Sequence, residues 1–235
     1  MALLGREAEA LIQGKAASFD GTDDYVDCGN KADFDLTSVD HTLECWFKAD
    51  TSQPRPYPSL FHKYVGGVSP GGYTVYINQT TGKVICSEIA DGGDNIWIAS
   101  PTSYLDNQWH HLIYTVDVSA KTAYLYIDGV QIGSDTYTGN LVNATQTLSI
   151  GGKSNINQCF KGSIDEPRIY RRFLTSNERT EHYQGIYQDE SGLVLYLPFE
   201  NDVKDYSGQG NDGINYGATF TVGAKIPVGY AKNIR

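Results

Sequence analysis

The sequence predicts an all-β protein built as a sandwich of antiparallel strands, and three observations lead there. In residues 108–117 and 123–133, apolar side chains alternate with polar ones at the two-residue period of a half-buried strand. Within the second of these stretches, Asp128-Gly129 supplies the positive-φ pair that a tight hairpin needs. Composition agrees: 25 Gly and 17 Tyr stand against one Met, with no long run of helix formers. Turn-forming clusters also punctuate the 235 residues at short intervals, and one β-domain can be this long.

Strands are expected near 16–20, 24–27, 41–48, 58–63, 72–78, 82–89, 95–99, 109–117, 121–127, 130–132, 145–151, 161–170 and 192–199. In 42–48 the apolar Leu43, Cys45 and Phe47 share one face, and Trp46 stands on the other beside Glu44. Pro167 cannot donate to a ladder, so its strand should lie at a sheet edge or carry a bulge, next to a loop or a site. Helix is expected only at 6–12 and at 176–184, the latter capped by Thr175 or Ser176. Residues 187–192 read as a polar linker, after which the apolar strand at 193–199 opens a Gly- and Asn-rich run to Tyr216.

A net charge of -10 argues against nucleic-acid binding, which needs clustered cations. No stretch approaches the roughly 20 apolar residues of a membrane span. Residues 1–15 lack the basic start and apolar core of a signal peptide. An extracellular protein of this sequence would therefore have lost its export signal or reach the outside by another route, for instance within a virus particle. Cys28, Cys45, Cys86 and Cys159 show no CxxC spacing, which speaks against zinc. Cys45 and Cys86 lie in apolar strand patterns and suit buried thiols as well as a disulfide, whereas Cys28 and Cys159 are expected in loops. Asn78-Gln79-Thr80 and Asn143-Ala144-Thr145 fit the glycosylation sequon.

Five segments in order carry a family resemblance: Ala16-Ala17-Ser18-Phe19-Asp20-Gly21-Thr22-Asp23-Asp24-Tyr25-Val26, then 42–48, 109–117, 125–129, and Gly162-Ser163-Ile164-Asp165-Glu166-Pro167-Arg168-Ile169-Tyr170. Together, over about residues 14–185, they resemble laminin G-like domains of the concanavalin A-like lectin/glucanase superfamily. The resemblance implies two antiparallel sheets stacked as a jelly roll. Residues 192–226 are similar to the part that usually opens such a domain, so the opening strand stands in a permuted position at the end. It could fill its own sheet, begin a truncated second repeat, or be donated to a neighbouring copy; pairing within the fold is the expectation, because a lone apolar strand invites aggregation. The domain is then 1–235, with 1–15 as an N-terminal segment and 192–235 as the displaced strand plus tail.

Hydrolases of this fold are recognised by Glu-x-Asp-x-Glu on one strand, and retaining hydrolysis needs two carboxyls about 5–5.5 Å apart. The nearest candidate, Glu88-Ile89-Ala90-Asp91, has the wrong spacing; Glu44 stands alone, Glu166 lies beside Asp165, and His110-His111 belongs to a strand. No catalytic residues are expected. The resemblance implies a structural calcium ion held by Asp20, Asp40 and Asp165, completed by the backbone of Gly21 or His41, although the same aspartates could instead cap turns. Asp23, Asp24 and Asp27 are expected to be solvated. For glycan stacking, Trp97, Tyr64, Tyr73 and Tyr76 are available, with His62 and Asn95 to orient hydroxyls; Trp97 could equally cover a sheet edge, and Trp46 and Trp109 suit the core. The expected function is non-catalytic recognition of a carbohydrate or glycoprotein surface, outside a cell or on a virion. The alternative is a structural or adhesion subunit that associates with itself or with neighbouring subunits.

Overall fold

The structure is a computed structural model that describes residues 12–67, 70–153 and 158–226. The helix expected at 6–12 lies outside the described residues except for Ile12, which begins a strand. The strands are β1 (Ile12–Asp20), β2 (Tyr25–Gly29), β3 (His41–Ala49), β4 (Ser59–Val65), β5 (Gly71–Ile77), β6 (Val84–Glu88), β7 (Ile96–Ala99) and β8 (His110–Asp117). They continue with β9 (Thr122–Ile127), β10 (Val130–Thr136), β11 (Leu148–Ile150), β12 (Lys161–Tyr170), β13 (Leu193–Tyr196), β14 (Ile214–Tyr216) and β15 (Thr219–Ile226). An α-helix, α1 (Ser176–Tyr183), follows β12 and starts in a capping box between Thr175 and Glu178.

Two antiparallel sheets result. The larger runs β10-β9-β8-β3-β12-β1-β15, with β13 also on β12, and the smaller runs β14-β2-β11-β4-β5-β6-β7. Period-two alternation decides what each contributes to the core. The larger sheet turns Leu43, Cys45 and Phe47 of β3, Leu112, Tyr114 and Val116 of β8, and Ala123, Leu125 and Ile127 of β9 inward. Phe61 of β4, Tyr73, Val75 and Ile77 of β5, and Val84 and Cys86 of β6 meet them from the smaller sheet. Trp46 stands beside Glu44 on the outer side, as its parity requires, and Asp128-Gly129 turns the hairpin at φ +52° and +76°. All four cysteines are buried free thiols; Cys28 sits in β2 and not in a loop.

β12 is interior to its sheet, so Pro167 marks a bulge and not an edge. The register with β3 slips between Asp165 and Arg168, and Glu166 takes a left-handed φ of +54°. On its other side β12 pairs with β1 only over Lys161–Ile164 and with β13 only over Arg168–Tyr170. The C-terminal strands therefore close both sheets within the chain: β13 on β12, β15 on β1 and β14 on β2. β14 and β15 lie beyond the expected strands, although Phe220, Val222 and Ala224 do alternate.

Between the sheets, His41 of β3 and Glu88 of β6 form a buried pair with Nε2 and Oε2 3.1 Å apart, and the Tyr114 hydroxyl donates to the same oxygen at 3.1 Å. Burial alone would lower the His41 pKa, but the Glu88 charge and hydrogen bond, with the Val39 carbonyl, raise it above its ordinary 6.5.

Two outcomes test this account. Leu195→Ala, which truncates a fully buried β13 side chain, should cost about 2–5 kcal/mol in urea unfolding; a cost near zero would mean that β13 does not hold β12. A histidine whose folded pKa is raised stabilises fully below its unfolded value and loses that contribution as pH rises through the folded value. Wild type should therefore exceed His41→Gln in stability most below pH 6.5 and converge toward it at higher pH, by chemical denaturation across pH.

Candidate functional site

The outward positions of the smaller sheet form one continuous row. Register aligns Ile214, Asp27, Ser149, His62, Thr74, Ser87 and Trp97 side by side across all seven strands. Its middle is small and polar: the Ser149 hydroxyl donates to the His62 carbonyl at 3.4 Å and the Thr74 hydroxyl to the Phe61 carbonyl at 3.1 Å. Its end is aromatic. Trp97, on edge strand β7, is 55% exposed and meets Tyr76 edge-on at 6.2 Å, and Tyr76 meets Tyr57 edge-on at 5.5 Å. The Trp97 amide is anchored by Asp135 of β10 at 2.8 Å, which ties the edge of one sheet to the edge of the other.

Three of the five expected ligand residues, Trp97, His62 and Tyr64, share this face, about 14 Å separating β4 from β7 at ordinary strand spacing. Tyr73 does not. It alternates inward with Val75 and Ile77, is 2% exposed, and its hydroxyl donates to the Phe34 carbonyl; Tyr76, of opposite parity, faces out in its place. Asn95 stays in the preceding loop, where its side-chain oxygen accepts the Ala90 amide. Tyr57 was not expected, though its place between Pro56 and Pro58 is a legible sign of a residue held outside the ladder. His62 is buried, and among the described residues neither ring nitrogen has a partner in good hydrogen-bond geometry. Burial foremost, then Lys153, pulls its pKa down to about 4, so the imidazole is neutral at pH 7 and offers one donor and one acceptor.

The expected calcium ligands are not brought together. Asp20 ends β1 opposite Lys161, whereas Asp40 precedes the far end of β3, about 30 Å away at strand rise, and holds the Val118 amide. Asp165 lies at the β12 bulge, buried, with Oδ2 accepting the Ala224 amide at 2.8 Å; burial first and the Glu166 charge second push its pKa well up. What Asp20 does join is Asp23 and Asp24, one oxygen from each within 4.8 Å of the others. Asp24 is buried rather than solvated and accepts the Asp20 amide at 2.9 Å. Its pKa is raised by burial and by the charges of Asp20 and Asp23, against the hydrogen bond from Asp20. Three crowded carboxylates, one of them desolvated, suit a hard cation, which takes several such oxygens. A cavity of about 270 Å³ adjoins Asp20 between Thr22, Ser52, Pro54 and Lys161.

The remaining buried acids have fixed partners. Glu44 accepts from His111 at 3.1 Å and from His182 of α1 at 2.8 Å, which pins the helix to the outer face of the larger sheet. Burial would raise the Glu44 pKa, but the two histidines hold it far below the carboxylate range. Glu166 is bonded by Arg168, whose guanidinium lies between the rings of Tyr187 and Tyr196 at 3.8 and 3.9 Å.

Comparison with known proteins places this architecture. No curated protein matches the chain significantly. A candidate carbohydrate-binding protein from Bacteroides ovatus is similar in structure with a TM-score of 0.69 at 18% identity, covering 93% of this chain and 62% of that one. The chain thus spans less than two thirds of that protein. A heptameric SAP-like pentraxin from Limulus polyphemus has a TM-score of 0.59 at 13% identity, over 89% of this chain and 95% of that one. The CBM40 of a Ruminococcus gnavus IT-sialidase, bound to α2,3 sialyllactose, has a TM-score of 0.55 at 15% identity, over 73% and 98%. At these identities the likeness is one of fold. The sequence itself matches the profile of a family described as the concanavalin A-like lectin/glucanases superfamily over residues 20–178, and the chain belongs to that family.

Proposed function

We propose that this protein is a non-catalytic carbohydrate-binding module that takes its ligand on the outer face of the smaller sheet, at the Trp97 end. The observation that carries this is the exposed Trp97 indole, braced edge-on by Tyr76 and Tyr57 beside the polar positions Ser87 and Thr74. A flat exposed ring held at low entropy cost is what C–H stacking against a pyranose requires, and neighbouring polar groups orient its hydroxyls. The carbohydrate-binding descriptions of the Bacteroides and CBM40 structures support the same class of ligand. The non-catalytic part rests on the acids: Glu44 gives both oxygens to histidines, buried Glu88 holds His41 and Tyr114 on one oxygen, and Glu166 is engaged by Arg168 and Tyr196.

We also propose a structural calcium ion at Asp20, Asp23 and Asp24, where it would relieve the repulsion among the three carboxylates. It would stiffen the β1–β2 turn and leave the chemistry of ligand binding to the sheet face.

On a glycan array, wild type should show saturable binding to a defined set of sugars, and Trp97→Ala should lower that binding at least about tenfold, as expected for an aromatic anchor. Equal signals from both proteins would remove Trp97 from the site, and a blank array would remove the function. For the ion, calcium in excess should raise the thermal midpoint over a chelated sample by linkage, and Asp24→Asn should abolish the difference. Identical melts with calcium and with chelator would exclude the ion.

A further inference from the structure

At the opposite end of the sandwich from Asp20, a cavity of about 370 Å³ opens among Asn30, Lys31, Asp35 and Ser38 of the β2–β3 connection, Asn143, and Arg171 just past β12. No aromatic ring lines it, so stacking is not its mode of recognition. Arg171 arrives already positioned: its Nη1 donates to the carbonyls of Ala32, Asp33 and Asp35 at 3.3, 3.2 and 2.7 Å. Among the described residues these bonds engage Nη1 alone, which leaves the Nη2 and Nε donors of the planar fork to a ligand.

A second cation stands behind the wall. Lys63 points into the protein from β4 and is fully buried, and its ammonium donates to the Asn30 side chain at 2.8 Å and to the carbonyls of Ala144 and Gln146 at 2.6 and 2.8 Å. Its hydrogen bonds are satisfied, yet among the described residues no carboxylate lies within ion-pair distance of it. Burial accordingly pulls its pKa down, with Asp35 opposing. A buried charge without a counter-ion is costly, and one placed a single side chain behind a cavity wall favours an anion in that cavity. Exposed Lys31 adds a third positive charge at the mouth. Asp35 is the acid among the lining residues, and its Oδ1 is taken by the Thr37 amide and hydroxyl at 3.2 and 2.7 Å. In a chain of net charge -10 this cationic wall is a local exception.

We propose that this cavity is a second binding site, separate from the Trp97 face, for the carboxylate of an acidic sugar such as a uronate. The carboxylate would meet the free side of the Arg171 fork, whose geometry matches two parallel hydrogen bonds. The ring hydroxyls would meet Ser38, Asn30 and Asn143. That the anion rides on a sugar rests on the carbohydrate reading above; the anion site does not.

Isothermal titration of the whole chain with methyl glucuronide, methyl glucoside, acetate and inorganic phosphate decides it. The glucuronide should bind saturably and at least about tenfold tighter than each of the other three, and more weakly as salt rises. Lys31→Gln should weaken it about threefold and Arg171→Lys about tenfold, while Trp97→Ala should leave it unchanged. If Arg171→Lys fails to fold, exposed Lys31→Gln carries the decision. Equal affinity for glucuronide and glucoside, tighter binding of acetate or phosphate, unweakened binding in Lys31→Gln, or loss in Trp97→Ala would each overturn the proposal. A blank glycan array with intact glucuronide binding would sink the Trp97 site and leave this one standing.

Discussion

One edge of β12 serves two partners, and the rest of the sandwich depends on that division. Every buried backbone amide and carbonyl needs a partner, and the bulge at Asp165-Glu166-Pro167 interrupts the ladder where a proline could not have donated in any case. β1 takes the edge before the interruption and β13 takes it after. The Pro167 carbonyl accepts the Leu197 amide, so even the bulge is tied to the incoming C-terminal segment. Residues 193–226 are therefore structural members of both sheets, although they follow the segment matched by the family.

The interior is not uniformly apolar, and its polar members are arranged in small sets. His41 and Glu88 join the two sheets through the core. Glu44, His111 and His182 join a helix to the back of the larger sheet. Such pairs add little net stability over apolar packing, but removing one partner leaves a desolvated charge behind. They therefore act as registration points for a fold whose strands are otherwise interchangeable in pattern. Among the described residues Lys63 is the exception, a buried cation bonded to neutral oxygens.

The two faces of the smaller sheet show how parity converts sequence into function. Tyr73 and Tyr76 are three residues apart on β5, so they cannot share a face. One fills the core and the other braces Trp97. Both were candidates in the sequence because alternating tyrosine suits either side of a strand; the register with β4 and β6, not the residue type, separates them. Likewise Asp24 reads as a solvated turn acid, yet the turn after β1 folds it back onto the Asp20 amide and buries it.

Local rules determined the architecture. Two-residue periodicity located thirteen of the strands, Asp128-Gly129 placed the hairpin, Thr175 and Glu178 set the helix start, and Pro167 announced a bulge or an edge, because each depends only on backbone chemistry a few residues wide. Only the tertiary structure decided which acids and rings meet. Asp20 and Asp165 sit in matching family segments, but strand rise carries them apart, while Asp23 and Asp24 remain beside Asp20 because a turn does not extend. The row from Asp27 to Trp97 and the cavity bounded by Asn30 and Arg171 combine residues far apart in the chain. Such proximity arises from sheet order and register, which no local pattern encodes.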